Sequence, residues 1–112
     1  MKVEEIGVEQ ASSGLDAFYV IDVRSREEFD GPLGHVPGSR CVPLEDLEQA
    51  SGTLPTDGPI LIACRSGRRS AIACERLDAL TPARAVNLAG GMIAWNEAGL
   101  PTEGSAAAPP QD

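Results

Sequence analysis

The sequence lacks most of what is needed to bind a metal, a membrane or a nucleic acid. It has one histidine, and its three cysteines at positions 41, 64 and 74 fit no zinc or dithiol spacing. No apolar run approaches the roughly 18 residues of a membrane span, and the N-terminus lacks the basic and apolar regions of a signal peptide. The net charge of −8 disfavours phosphate-rich and anionic surfaces. We therefore expect a cytoplasmic protein with no metal, no nucleic-acid partner and no membrane partner.

Aromatic residues are also scarce, at 4% of the 112-residue chain, so the core must be built mainly from aliphatic side chains. The length suits one domain rather than two. The last ten residues contain no large apolar side chain and are typical of a disordered tail. We predict a single folded domain over residues 1–102, followed by a disordered tail over residues 103–112.

Short apolar runs alternate with helical patterns, and the runs are continuous, as in strands that are buried on both faces of a parallel sheet. Strands are predicted over residues 17–21, 40–42, 60–63 and 85–88, and helices over residues 25–29, 44–50, 70–80 and 91–98. Ser25 and Glu28 predict a capping box at the start of the first of these helices. Helical spacing places Ala73, Cys74, Leu77 and Leu80 on one buried face. The order predicts an α/β fold, in which ligands bind at the carboxyl ends of the strands.

The segment with the clearest chemistry begins at Cys64, which follows a predicted strand and opens a loop into a helix. Three of the nine lysines and arginines, Arg65, Arg68 and Arg69, lie within five residues of it. Positive charge and the amides of a helix N-terminus both favour a thiolate, which is the nucleophilic form of cysteine. Gly67 allows the backbone to turn so that successive amides face one anion. We predict a nucleophilic thiolate that meets a small anionic substrate.

The other two cysteines are interpreted differently from Cys64. Cys74 lies on the inward face of a predicted helix, where a cysteine behaves as a small apolar residue. For Cys41 we prefer packing, while a resolving role through a disulfide with Cys64 stays open.

Several polar and aromatic candidates have structural explanations. Asp22 and Arg24 are interpreted as a supporting pair that anchors the turn below the loop, rather than as charges that tune the nucleophile. His35 is interpreted as a turn residue rather than a general base, although histidine titrates near neutrality. Trp95 is interpreted as a core residue rather than a platform for a substrate.

Four segments, which lie within residues 22–101, together resemble motifs of the rhodanese family and occur in that family's order. They are Asp22-Val23-Arg24 with Glu27-Glu28-Phe29 (D-V-R-x-x-x-E-[FY]), Gly34-His35-Val36-Pro37-Gly38-Ser39 (G-H-[IV]-P-G-[AS]), Cys64-Arg65-Ser66-Gly67-Arg68-Arg69-Ser70 (C-x-x-G-x-R-S) and Asn87-Leu88-Ala89-Gly90-Gly91-Met92-Ile93-Ala94-Trp95 (G-G-x-x-x-W). The chain departs from the common pattern at residues 30–33, a longer connection that we expect to alter the rim of the site. It also has Cys41 where many relatives carry asparagine.

The resemblance implies a three-layer α/β/α fold with a central, mostly parallel five-stranded sheet. It also implies sulfur transfer without a cofactor. Cys64 would take a sulfane sulfur from thiosulfate, or from a protein persulfide donor, and pass it as a persulfide to cyanide or a thiol. Loop amides would hold the charge of the persulfide, Ser70 would form a hydrogen bond at the end of the loop, and Arg65 or Arg69 would bind the donor's sulfonate. The implied persulfide- and anion-binding loop consists of Arg65, Ser66, Gly67, Arg68, Arg69 and Ser70.

Three other functions are weighed against this one. Phosphatases and arsenate reductases of this fold resemble C-x5-R, in which the arginine lies six positions after the cysteine. Position 70 is a serine here and Arg69 comes one residue too early, so the shorter loop favours a sulfur atom over a tetrahedral phosphate. A persulfide carrier that relays sulfur between proteins would use the same loop, and the sequence does not separate it from an enzyme. The intact Cys64 loop disfavours a non-catalytic binding module.

Overall fold

The computed structural model describes residues 3–104. Within them lies a sheet of five parallel strands: β1 (Glu5–Ile6), β2 (Tyr19–Asp22), β3 (Arg40–Cys41), β4 (Ile60–Ala63) and β5 (Ala85–Leu88). The strands lie side by side in the order β1-β5-β4-β2-β3, so β4 is the central strand. The predicted five-stranded sheet is confirmed, and every pairing between its strands is parallel.

Four helices of the described part lie between successive strands, and a fifth follows β5. They are α1 (Val8–Ser13), α2 (Arg26–Phe29), α3 (Leu47–Ala50), α4 (Arg68–Leu80) and α5 (Gly91–Glu97), with short 3-10 helices at Leu15–Ala17, Leu44–Asp46 and Ser51–Thr53. The predicted capping box opens α2, where Ser25 Oγ accepts a hydrogen bond from the Glu28 amide at 3.2 Å. The longest helix, α4, has 13 residues, and between residues 3 and 104 no helix combines the length and apolarity that a membrane crossing needs.

Helices cover both faces of the sheet, which makes three layers. On one face, α3 and α4 pack against Ile60 and Ile62, and on the other face α1 and α5 pack against Leu61 and Ala63. All four of these β4 side chains are fully buried, at 0% exposure. Because both faces of β4 are covered, the strand reads as a continuous apolar run. The predicted three-layer architecture is confirmed.

The first strand and the first helix are not visible in the sequence pattern. β1 has two residues and lies at the edge of the sheet, with Glu5 exposed and Ile6 only partly buried. α1 has six residues, of which only Ala11 is fully buried. Elements this short contain too few apolar positions to produce a recognisable period.

Three predictions about the helices differ from the structure. Leu80 was expected on the buried face of its helix, but its side chain is 42% exposed because α4 ends at this residue. The same helix begins at Arg68, two residues before the predicted start. The helix predicted over residues 44–50 is a 3-10 turn followed by α3. Periodicity locates these helices, while their ends depend on local turns that the period does not describe.

The chain after α5 packs against the turn that contains His35. The backbones of His35 and Glu103 exchange two hydrogen bonds, each at 2.9 Å. The Glu103 carboxylate also accepts a hydrogen bond from the Gly38 amide at 2.9 Å. The packed part of the chain therefore includes Glu103, which the sequence assigned to the tail. Gly104 of the predicted tail is described as well, and the part from residue 105 onward lies outside the described residues.

Candidate active site

The loop singled out by the sequence lies at the carboxyl end of β4 and leads into α4. Cys64 follows the last residue of β4, and Gly67 caps the start of α4 with a left-handed φ of 99°. β2 ends beside the loop, since Asp22 is the pairing partner of Ala63 in the sheet. The site therefore occupies the edge of the sheet at which parallel α/β proteins bind their ligands.

The Cys64 side chain is nearly fully buried, at 1% exposure. Its Sγ accepts a hydrogen bond from the Gly67 amide at 3.0 Å and lies 3.2 Å from Ser70 Oγ. Burial raises the pKa of the Cys64 thiol, but hydrogen bonds from the Ser70 hydroxyl and from the amides of Ser70, Gly67 and Ser66 outweigh it. The net result is a pKa below the ordinary value of a cysteine, which favours the nucleophilic thiolate.

The start of α5 fixes the backbone of the loop. The Met92 amide donates to the Cys64 carbonyl at 2.8 Å, and the Ile93 amide donates to the Arg65 carbonyl at 3.0 Å. Because the N–H of a trans peptide points away from its C=O, the amides that follow these carbonyls are directed away from α5. Gly91, with φ of 58°, lies so close that a β-carbon there would come within 2.6 Å of the Arg65 oxygen. The backbone conformation of the loop therefore depends on α5, which begins more than twenty residues later in the chain.

Asn87 on β5 is part of the site, although it was not among the predicted residues. Its side chain is 2% exposed, and its Oδ1 accepts a short hydrogen bond from the Ser70 hydroxyl. Its Nδ2 donates to the Gly67 carbonyl at 3.1 Å and to the Glu5 carboxylate at 3.3 Å. The available signal was an asparagine inside an apolar buried strand, because a buried polar side chain needs partners.

The three arginines of the loop differ in their surroundings. Arg69 forms a bidentate ion pair with Glu28 of α2, with nitrogen–oxygen distances of 2.7 and 2.8 Å. Arg65 and Arg68 have exposed side chains. Arg69 therefore holds the loop against α2, whereas Arg65 and Arg68 face solvent at the rim.

We expect the Glu28–Arg69 pair to contribute stability that depends on pH. The hydrogen bond from Arg69 lowers the pKa of the Glu28 carboxyl from 4.5 to about 2. A carboxyl with a depressed pKa stabilises the folded state above its unfolded pKa, and that stability is lost as the pH falls towards the folded pKa. Glu28→Gln should lower the melting temperature at pH 7 by up to about 4 °C, since a partly exposed pair contributes about 1 kcal/mol or less. Near pH 2 the two proteins should melt at similar temperatures.

Calorimetry at both pH values checks this expectation. Glutamine keeps the capping-box position, so the substitution removes the ion pair and little else. Glu27→Gln, on the exposed neighbour in α2, is the matched control and should have almost no effect at either pH. A loss in Glu28→Gln of equal size at pH 7 and pH 2 would show that the ion pair is not its cause.

A cleft of about 290 Å³ opens beside the loop. Its lining residues are Arg24, Glu28, Pro32, Leu33 and Arg65. Pro32 and Leu33 belong to the long connection after α2 and give the cleft an apolar side, while Arg65 gives it a charged side. The extra residues of this connection thus form part of the rim, as the sequence predicts.

Asp22 and Arg24 form the buried pair that the sequence predicts. Arg24 Nη2 lies 2.8 Å from Asp22 Oδ2, and both side chains are at most 1% exposed. The same nitrogen donates to the Gly34 carbonyl at 2.7 Å. A buried guanidinium needs acceptors of this kind, and this one ties the end of β2 to the turn at Gly34. Support of the active loop by this pair stays a prediction.

The other cysteines and His35 have structural surroundings. Burial raises the pKa of the Cys74 thiol to about 12, as expected for a packed side chain on α4. Burial also raises the pKa of Cys41, whose Sγ lies 3.8 Å from the Arg24 carbonyl; both cysteines are free thiols. The His35 ring stacks on Phe29, with centroids 3.6 Å apart, and Nδ1 lies 2.9 Å from the Phe29 carbonyl. These contacts favour structural roles.

The central strand of this parallel α/β sheet ends at a thiol of lowered pKa, inside a loop of amides and arginines. This arrangement favours the thiolate form of Cys64. Comparison with known proteins identifies the family. The family model described as "Rhodanese-like domain" matches residues 7–98, so the chain belongs to the rhodanese-like family.

Individual relatives agree with this assignment. A protein named sulfurtransferase from Allochromatium vinosum is 34% identical over 102 residues, which cover 88% of this chain and 94% of that protein. The crystal structure of a rhodanese-related protein from Thermoplasma volcanium has a TM-score of 0.81 and 30% identity, over 88% of this chain and 95% of that one. A thiosulfate sulfurtransferase from Pseudomonas aeruginosa has a TM-score of 0.80 and 27% identity, over 95% of this chain but 20% of that one. These relatives support a sulfur-transferring enzyme.

Proposed function

We propose that this protein is a thiosulfate sulfurtransferase that carries the transferred sulfur as a persulfide on Cys64. The observation that carries the proposal is the position of the Cys64 sulfur, which accepts the Gly67 amide hydrogen bond at 3.0 Å and has a lowered pKa. Amides that hold a thiolate can also hold the anionic outer sulfur of a persulfide. The sulfur travels on the protein itself, so the reaction needs no cofactor.

In the first step, the Cys64 thiolate attacks the outer sulfur of thiosulfate. A bond forms between the two sulfur atoms, the sulfur–sulfur bond of thiosulfate breaks, and sulfite leaves with the bonding electron pair. No proton has to be removed, because the nucleophile is already ionised. The product is the Cys64 persulfide.

In the second step, cyanide or a thiolate attacks the outer sulfur of the persulfide. The bond to the Cys64 sulfur breaks, and its electron pair returns to that sulfur as a thiolate, which restores the starting state. A cysteine with a lowered pKa leaves faster in this kind of exchange. The same loop therefore assists both steps.

Arg65 is the arginine that we assign to the sulfonate of the donor. It is exposed and lines the cleft beside the loop, whereas Arg69 is already paired with Glu28. The exposed Arg68 adds positive potential at the same rim, on a chain whose net charge is −8. Similarity to the Pseudomonas thiosulfate sulfurtransferase supports thiosulfate as the donor.

A persulfide carrier is the second candidate function. The exposed arginines at the rim, Arg65 and Arg68, favour it, because they leave the loop open to an approaching protein as well as to a small anion. The donor and the acceptor would then be protein persulfides and thiols, and the chemistry at Cys64 would be unchanged.

A turnover assay with thiosulfate and cyanide tests the proposal. We expect steady production of thiocyanate by the wild-type protein. Arg65→Ala should raise KM for thiosulfate about tenfold with a smaller change in kcat, because it removes a charge-assisted contact made to the bound donor.

Arg76→Ala is the matched control, since Arg76 is an exposed arginine further along α4. It should leave KM unchanged. Equal KM values for the two variants would contradict the role of Arg65. If no thiocyanate forms and the protein takes up sulfur only from a protein persulfide, the persulfide carrier is the correct function and the thiosulfate sulfurtransferase is not.

A further inference from the structure

A chain of hydrogen bonds leads from the buried Cys64 side chain to β1. It runs from Sγ to Ser70 Oγ over 3.2 Å, from the Ser70 hydroxyl to Asn87 Oδ1, and from Asn87 Nδ2 to the Glu5 carboxylate over 3.3 Å. Ser70 is 0% exposed and Asn87 is 2% exposed. Because bulk water does not reach these two side chains, their protons are shared only among partners within the chain.

The amide group of Asn87 has one possible orientation in this network. Its Nδ2 faces the Gly67 carbonyl at 3.1 Å and the Glu5 carboxylate, and both of these groups only accept hydrogen bonds. Reversing the amide would place its oxygen against both acceptors. Oδ1 therefore faces Ser70 and accepts the single hydroxyl proton of Ser70 as long as Cys64 is a thiol.

The ionised Cys64 sulfur needs the same proton. In the thiol state, Cys64 can donate to Ser70 while Ser70 donates to Asn87, and all three groups are satisfied. In the thiolate state the sulfur only accepts. Ser70 must then either turn its proton to the sulfur and leave Asn87 Oδ1 unpaired, or keep its bond to Asn87.

We propose that Asn87 is a positioning residue for sulfur transfer, which acts by competing with the Cys64 sulfur for the one proton of the Ser70 hydroxyl. The inference rests on the proposed role of Cys64 as the sulfur carrier. When this sulfur is neutral, as in the thiol or the persulfide, the proton points to Asn87. When the sulfur is anionic, the hydroxyl turns towards it.

The competition has opposite effects in the two steps. As the thiolate attacks the donor, it loses its charge and the Ser70 hydroxyl rotates back towards Asn87 Oδ1. The hydrogen bond from Ser70 to the Cys64 sulfur is thereby released and does not hold back the attack. As the acceptor attacks the persulfide, the hydroxyl turns to the departing Cys64 sulfur and stabilises it. No proton leaves the site, because a single hydroxyl rotates.

Other charged groups lie on the elements around Cys64. They are Arg65, Arg68 and Arg69 of the loop and α4, Glu28 of α2, the Asp22–Arg24 pair at the end of β2 and Glu5 of β1. The neighbouring Cys74 thiol is replaced by alanine in every protein that is compared. These groups are the same in all four proteins of a double-mutant cycle at positions 70 and 87. Their effect on the pKa of Cys64 therefore cancels when the variants are compared.

The test is a double-mutant cycle that uses the pKa of Cys64 as its readout. Asn87→Leu, Ser70→Ala and the double variant are made in a protein that also carries Cys41→Ser and Cys74→Ala, so that one thiol titrates. Its pKa is measured from the ultraviolet absorbance of the thiolate. We expect Asn87→Leu to lower the pKa of Cys64 in both backgrounds or in the Ser70 background alone. The decrease should be about one pH unit larger when position 70 is serine than when it carries Ser70→Ala. Loss of the contact to Gly67 affects both backgrounds equally and is subtracted.

A second measurement needs no substitution at Asn87. The chain has two asparagines, Asn87 and Asn96, so selective carbon-13 labelling gives one reporting side-chain carbonyl and one internal control. The Asn87 signal should shift as Cys64 ionises, and Ser70→Ala should abolish the shift. The Asn96 signal should stay constant.

An equal change of the Cys64 pKa in both backgrounds, or an Asn87 signal that ignores the ionisation of Cys64, would overturn this inference. Titration of the thiol needs no sulfur donor, so the result does not depend on turnover. A protein that shows the coupling but never takes up sulfur contradicts the proposed function alone. A protein that turns over without the coupling contradicts the role of Asn87 alone.

Discussion

Cys64→Ser should prevent the protein from gaining the mass of one sulfur atom after exposure to thiosulfate, and thiocyanate production should fall by at least about a thousandfold. A serine hydroxyl is not ionised near neutral pH and cannot carry a sulfane sulfur in a disulfide-like bond. The substitution changes one buried atom, so the fold and the anion-binding amides should survive. Intact-mass spectrometry of the treated protein measures the gain directly.

The other two cysteines provide the controls for this experiment. Cys41→Ser and Cys74→Ala should both keep the sulfur gain, because burial raises the pKa of each of these thiols. Circular dichroism on all three variants confirms that they are folded. Sulfur uptake that persists in Cys64→Ser and disappears in Cys41→Ser would show that Cys41 carries the sulfur, which contradicts the mechanism proposed for Cys64.

Gly91→Ala should destabilise the protein by about 3 kcal/mol and abolish sulfur uptake. Part of the cost is the left-handed backbone, with φ of 58°, which disfavours any residue with a β-carbon. The larger part is steric, because the new β-carbon would lie within 2.6 Å of the Arg65 carbonyl oxygen and against the Cys64 carbonyl. Relief of these contacts would push the active loop away from α5.

Gly99→Ala separates the two causes. Gly99 also has a left-handed φ, of 70°, but apart from its two chain neighbours none of the described residues lies within 4 Å of its added β-carbon. It should cost about 1 kcal/mol and leave sulfur uptake intact. Denaturant unfolding and intact-mass analysis on both variants provide the comparison, and similar losses in the two would show that the contact between α5 and the loop is unimportant.

The sheet and the loop could be predicted because their signals are local. Ile60–Ala63 is buried on both faces, so the whole strand is apolar and stands out from its surroundings. The Cys64 loop carries its cysteine, glycine and arginines within seven residues. β1 could not be found in this way, since a two-residue strand is defined by its pairing with β5 rather than by its composition.

The connections within the site could not be predicted, because they join residues far apart in the chain. The sequence offers Arg69 beside Arg65 as a ligand of the donor's sulfonate, yet Arg69 forms an ion pair with Glu28, 41 residues away. Asn87 lies 17 residues from Ser70 and meets it only because β5 pairs with β4. The chemical type of each side chain can be read from the sequence. Which hydrogen-bond or ion-pair partner it has depends on the tertiary structure.

The two hydrogen bonds from α5 to the Cys64 and Arg65 carbonyls mean that the lowered pKa of Cys64 depends on the folded structure. The chain must reach Ile93 and dock it before the loop acquires its shape. A partly synthesised or unfolded polypeptide therefore lacks the hydrogen bonds that favour the thiolate at this position. Unfolding should consequently raise the pKa of Cys64, and the ultraviolet absorbance of the thiolate measures that change.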